Sequence, residues 1–219
     1  MNFAFYISGK ATRFNKLIND NNEKLLKLVK FVFSDSEENL YLIEKLNQLN
    51  IKYILLDYKK MEYEKSQKNF ELSNCLLSYL RKFKVDYCFS FGGHILKGEI
   101  LSEYKNRIIN FHPSILPAYP GLRAIDQAIA EKANILGNTA HFIDEGIDTG
   151  PIIMQSIISV VAFQERGYDA VLDMQIEMLY KIVNLLIEDR IYVVNNSVKI
   201  EGANYNFHYI LPYVDTDIT

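Results

Sequence analysis

The chain has 219 residues, of which 49% are hydrophobic and 23% charged, a balance that builds a sizeable core without cross-links. A net charge of −3 offers no basic face for a polyanion, which excludes nucleic acid as the main partner and leaves room only for a local basic pocket. The two cysteines, Cys75 and Cys88, lie in apolar surroundings without CxxC spacing, so reduced, inert thiols and a cytoplasmic location are expected.

In chain order, Asn2–Ser8 is a short apolar run closed by Gly9 and reads as a buried strand. It has neither the charged start nor the long apolar run of a secretion signal, and no segment has the length of a membrane span. Thr12 is placed to cap a helix running to about Asp20, and Leu26–Phe33 reads as a second strand. Ser34-Asp35-Ser36 before two glutamates signals a helix start, with helical spacing over Leu40–Leu49. Ile51–Leu56 is a third strand, Phe70–Phe83 a helix and Val85–Phe91 a fourth strand.

Ile108–Phe111 is a further short strand that runs straight into a proline-rich loop, His112 to Gly121. A helix over Arg123–Lys132, strands over Thr139–Ile143 and Ile152–Val161, and a long helix over Tyr168–Glu188 follow. Ile191–Val194 and Ser197–Ile200, joined by Asn195-Asn196, form a hairpin pattern. Strands alternating with helices pair in parallel through right-handed crossovers. The expected fold is therefore α/β: an open, mostly parallel, doubly wound Rossmann-like sheet over 1–190, with a short C-terminal hairpin or tail over 191–219.

Open α/β sheets bind ligands beyond the C-terminal ends of their strands. Two loops there are unusually polar, Asn110-Phe-His112-Pro-Ser and Asp144-Glu-Gly-Ile-Asp148-Thr-Gly-Pro. Attack of an amine on an acyl carbon builds negative charge on the carbonyl oxygen and requires proton exchange. Alternation along a strand puts Asn110 and His112 on one side, where both are donors, and Asp148 is placed to orient the imidazole or hold a relay water. His141, in an alternating strand, reads as a hydrogen-bonded core residue rather than a catalyst. Cys and His do not cluster at ligand spacings, so no metal is expected.

The stretch from Asn110 to Gly121, with Asp148-Thr-Gly-Pro151 downstream, resembles the signature of folate-dependent formyltransferases. The likeness is to the glycinamide ribonucleotide transformylase kind and also to sugar N-formyltransferases, and in weaker form it covers Met1 to about Arg190. It implies 10-formyltetrahydrofolate as formyl donor, with Asn110, His112 and Asp148 around the formyl carbon. It further implies a pterin pocket between Phe91, Gly93, His94, Ile95 and Leu96 on one side and Ile143, Asp144, Glu145, Gly146 and Ile147 on the other. The flat, polar-edged pterin suits exposed backbone beside apolar walls.

The acceptor side departs from the family pattern. Where the purine enzymes carry a Gly-x-Gly-Ser-Asn turn whose amides hold a phosphate, this chain has Gly9-Lys10-Ala11-Thr12-Arg13. Alanine resists the positive φ that glycine adopts freely, so an anion would be bound by charged side chains. Glu177 falls where the family presents a glutamate to the substrate, although a solvated helix face is the favoured reading. The expected partner is a small amine acceptor carrying phosphate or a nucleotide, and a homodimer is compatible with the pattern. The aromatic tail Asn204–Tyr213 is placed either to stack a base or to bury itself.

The leading expectation is formyl transfer to a nucleotide-linked amino sugar. Rivals are glycinamide ribonucleotide formylation in purine biosynthesis, hydrolysis of the formyl-folate, and a non-catalytic nucleotide-binding module. Hydrolases of that donor usually carry an extra N-terminal module, whereas the first strand here is expected at Asn2.

Overall fold

The computed structural model describes residues 1–206. One seven-stranded sheet has the order β3-β2-β1-β4-β5-β6-β7, built from Phe3–Ile7 (β1), Val29–Ser34 (β2), Lys52–Leu55 (β3), Tyr87–Phe91 (β4), Ile108–His112 (β5), Ile135–Phe142 (β6) and Ile152–Ser159 (β7). The first five strands are parallel, and β6 alone is reversed, pairing antiparallel with both β5 and β7. All five residues of β1 are fully buried, which is why that run is apolar on both faces.

Helices cover both faces. On one, Phe14, Leu17 and Ile18 of Thr12–Asn19 (α1) join Leu46 of Ile43–Gln48 (α3) and Ile176, Leu179 and Ile182 of Tyr168–Ile187 (α8). On the other, Leu72, Leu76 and Leu80 of Lys65–Lys82 (α4) and Ile100 of Glu99–Glu103 (α5) pack on Tyr6, Phe31 and Phe33. Ala124–Ala130 (α6) covers Leu136. The hairpin of Ile191–Val194 (β8) and Ser197–Ile200 (β9) lays Ile191, Val193, Val198 and Ile200 on the first core cluster.

Several expected boundaries shift for local reasons. Leu26 closes a short helix, Glu23–Leu26 (α2), capped by Asn22, and β2 begins only at Val29. The 40–49 helix divides into a 3₁₀ segment, Glu37–Leu42, and α3, with Asn39 off helical geometry at φ −114. Ile152–Val161 is strand only to Ser159, whose hydroxyl accepts from the Ala162 amide and starts Val160–Arg166 (α7). β6 starts four residues before the expected Thr139 and ends at Phe142, and α4 begins at Lys65. Part of the aromatic tail, from residue 207, lies outside the described residues.

β1 leads through α1 to β2 on one side, and β4 flanks it on the other, so the strand order reverses between β1 and β4. The crevice beyond that point is where an open sheet of this kind takes its ligands. Ser8 and Gly9, Phe91 to Gly93, and the polar residues of β5 all converge there.

Candidate active site

β5 and β6 pair with Asn110 opposite His141 and His112 opposite Thr139. The ladder therefore places a second histidine beside the expected asparagine, with Asn110 Nδ2 3.3 Å from His141 Nε2. His141 is a buried, hydrogen-bonded residue as read from the sequence, and it also borders the cavity that Asn110 lines. Its Nδ1 lies 2.9 Å from the Phe142 carbonyl, which fixes a proton there and turns Nε2 toward the site.

Asp148 completes the group from the loop after β6. Its Oδ2 lies 3.2 Å from His112 Nδ1 and accepts from the Gly121 amide at 2.8 Å, while Oδ1 lies 3.5 Å from His141 Nε2. The residue takes φ 55, a left-handed conformation that aspartate tolerates better than most. Gly150 makes the turn possible: a Cβ there would meet the Phe142 carbonyl oxygen at 1.9 Å. Burial pushes the Asp148 carboxyl up, but the hydrogen bonds of His141 and Gly121 and the charges of both histidines outweigh it and hold the group below its ordinary value.

His112 is 5% exposed, and its Nε2 lies 2.8 Å from the Tyr119 carbonyl. A carbonyl only accepts, so Nε2 carries a hydrogen. With Asp148 facing Nδ1, the ring meets both acceptors as a donor only in its doubly protonated form. The loop that presents Tyr119 is tied down by Ser114, whose hydroxyl donates to Ala118, and by Thr139, which bonds Ser114 and Leu116. Gln155 donates to Thr139 and to the Leu116 carbonyl. The Leu116–Pro117 bond is cis.

A cavity of about 150 Å³ opens above these groups. Asn110, His141 and Asp148 form its floor, Ser90 and Gly92 to Leu96 one wall, and Ile143, Asp144, Gly146 and Ile147 the other. Gly93, Ile95 and Leu96 make no backbone–backbone hydrogen bonds among the described residues, so that wall offers free peptide groups. Ile95 and Ile147 stand half exposed at the mouth, which gives apolar walls and polar backbone in one narrow slot. Two expected lining residues are elsewhere. Phe91 turns into the opposite layer against Phe5 and Phe111, and Glu145 is exposed on the outer side of its loop.

Beside the cavity, Tyr6 and Ser8 donate to buried Asp35 at 2.6 Å each, and His94 Nε2 lies 3.7 Å from the same carboxylate. The His94 ring stacks on Tyr58 at 3.5 Å. Burial lowers the His94 pKa, Asp35 opposes that, and Lys65 and Lys68 lower it further. Gly92 is required by this packing, because a Cβ there would stand 1.9 Å from the Tyr6 ring.

On the acceptor side the structure corrects one expectation. Ala11 does adopt the left-handed geometry, at φ 50, next to Gly9 at φ 53, so the turn keeps the conformation that glycine would give freely. Thr12 is the first helical residue rather than the cap, and Ala11 at the cap position makes no side-chain bond. Arg13 lies with its guanidinium carbon 4.6 Å over the Phe91 ring. Its Nε is buried without a hydrogen-bond partner among the described residues, and burial pulls its pKa down to about 10. Lys10 is exposed. Glu177 is not brought to the cavity; it pairs with Lys181 one turn along the exposed face of α8.

The formyl transferase family matches residues 1–182. The chain belongs to that family. It is 31% identical over 159 residues to a phosphoribosylglycinamide formyltransferase of Bacillus subtilis, covering 72% of this chain and 79% of the relative. It is also 39% identical over 104 residues to a formyltetrahydrofolate deformylase of Haemophilus influenzae, covering 47% of this chain and 37% of the deformylase. Among solved structures, a glycinamide ribonucleotide transformylase from Symbiobacterium toebii superposes with a TM-score of 0.75 at 25% identity, covering 91% and 93% of the two chains. The open seven-stranded sheet is thus that of a formyltransferase-type Rossmann-like fold.

Proposed function

We propose that this member of the formyl transferase family moves a formyl group from 10-formyltetrahydrofolate to the primary amine of a small, anionic acceptor. The observation that carries the reading is the meeting of Asn110, His141 and Asp148 at one end of the slot, with His112 behind them against Asp148. Folate donors fit that slot because one end is lined by free peptide groups between isoleucines and the other by donors.

In this reading the acceptor nitrogen attacks the formyl carbon, a new N–C bond forms, and the carbonyl oxygen takes up negative charge. Asn110 Nδ2 donates to that oxygen. His112 supplies the second donor, the Nε2 hydrogen that the Tyr119 carbonyl now holds. As the bond from carbon to the folate N10 breaks, that nitrogen takes a proton and the attacking amine releases one. Asp148, kept anionic by its neighbours, holds the relay water and balances the charge on His112.

The acceptor is proposed to be a nucleotide-linked amino sugar. Support comes from Arg13, a cation over Phe91 whose buried Nε has no partner among the described residues, at the turn where a backbone cradle would suit a single phosphate. The purine relatives favour the second acceptor, glycinamide ribonucleotide. An assay supplying 10-formyltetrahydrofolate with either amine separates them: turnover with the ribonucleotide alone ends the sugar reading. A deformylase among the relatives keeps hydrolysis as the alternative reaction, detected as formate released without any amine.

A further inference from the structure

The β1–α1 turn of this chain uses alanine in a left-handed conformation that costs an L-residue free energy, and the turn has to be held there by something other than its own preference. The holding groups are visible. Asn39, fully buried, donates from Nδ2 to the Gly9 carbonyl at 2.8 Å, and its Oδ1 accepts from the Tyr53 hydroxyl at 2.6 Å. Tyr41 donates from its hydroxyl to the Lys10 carbonyl at 2.9 Å. The Lys10–Ala11 peptide is the one whose orientation sets φ of Ala11, so Tyr41 bonds the plane that carries the strain. Asn39 itself leaves helical geometry, φ −114 inside the 3₁₀ segment, in order to reach the turn.

We infer that Asn39 and Tyr41 are positioning residues for acceptor recognition: they clamp the Gly9 and Lys10 carbonyls and so keep Ala11 left-handed. Because the peptides are planar and trans, a carbonyl drawn toward Asn39 sends the Lys10 amide the opposite way. That amide makes no hydrogen bond among the described residues. The clamp therefore aims the Lys10 amide and the start of α1, with Arg13, at the acceptor's anion. It replaces with side-chain bonds from the segment after β2 what a second glycine would supply through conformational freedom. The inference rests on the acceptor-anion reading above, and it predicts that the clamp matters only as long as residue 11 is not glycine.

The test titrates the full chain, without folate, with inorganic pyrophosphate in wild type, Asn39→Ala and Tyr41→Phe, each with Ala11 and with Ala11→Gly. Expected is a loss of affinity of about tenfold for Asn39→Ala and about threefold for Tyr41→Phe with Ala11 present, shrinking to within about twofold in the Ala11→Gly background. Folate-analogue affinity measured on the same proteins should stay within about twofold, which separates a positioning role from a general loss of fold. Equal losses in both backgrounds, or no loss, overturn the clamp. Failure of wild type to bind pyrophosphate overturns the acceptor-anion reading itself, a different result from intact wild-type binding with unaffected variants. Tyr41, more than half exposed, is the variant that keeps the test readable if Asn39→Ala fails to fold.

Discussion

Nδ2 of Asn110 lies 3.3 Å from Nε2 of His141, across the β5–β6 ladder in which the two residues are direct partners. With its Nδ1 hydrogen committed to the Phe142 carbonyl, His141 sets Nε2 between the Asn110 side-chain amide and Asp148 Oδ1 and so fixes that amide's position. The first prediction follows from this contact. Asn110→Ala should lower kcat by about a hundredfold, and His141→Ala by about tenfold through loss of that orientation, with donor KM little changed. Steady-state kinetics on the two variants and their double mutant check it, and the double should fall well short of the product of the singles.

Asp148 carries a second prediction, on pH. Its folded pKa is held below the ordinary aspartate value, so the ionised form contributes stability above the unfolded value, near pH 4, and that contribution is lost as pH falls through the lower folded value. Denaturant unfolding of wild type should therefore weaken more steeply than that of Asp148→Asn between about pH 4 and pH 2. At neutral pH the same variant should lose about a hundredfold in kcat, because the proton relay and the counter-charge to His112 go together.

Gly92 is predicted to be intolerant of a side chain for a packing reason. The 1.9 Å approach of a Cβ to the Tyr6 ring cannot be relieved cheaply, since Tyr6 is fully buried and its hydroxyl is tied to Asp35. Gly92→Ala should destabilise by about 2–3 kcal/mol and lower Tm by roughly 5–10 °C, read by thermal unfolding.

Arg13 yields the prediction that separates donor from acceptor. Arg13→Gln should raise the acceptor KM by about tenfold or more and leave donor KM unchanged, with Arg13→Lys intermediate, because lysine keeps the charge but not the forked geometry. Equal effects on both substrates would place the guanidinium elsewhere in the mechanism.

Much of this was legible in the residues. The alternation of apolar runs with helical periods gave the open parallel sheet, and the Asn110 to Gly121 stretch with Asp148 marked the two loops that meet. Three things were hidden for physical reasons. His141 looks like a core residue because alternation along β6 says which side it faces, not that its antiparallel partner is Asn110. Ala11 reads as incompatible with a left-handed turn, since its compensation comes from Asn39 and Tyr41, nearly thirty residues downstream. Phe91, the last residue of β4, reads as part of a pocket loop, but strand pleating turns its ring to the opposite layer.

The proposed reaction passes the formyl carbon to an amine rather than to water. Single-turnover reaction of the protein with carbon-labelled 10-formyltetrahydrofolate and an amine panel, following both N-formyl product and formate, tests it directly. Label is expected in an N-formyl product at a rate that Asp148→Asn reduces by about a hundredfold. Label appearing only as formate, or remaining on the folate with every amine, would contradict it.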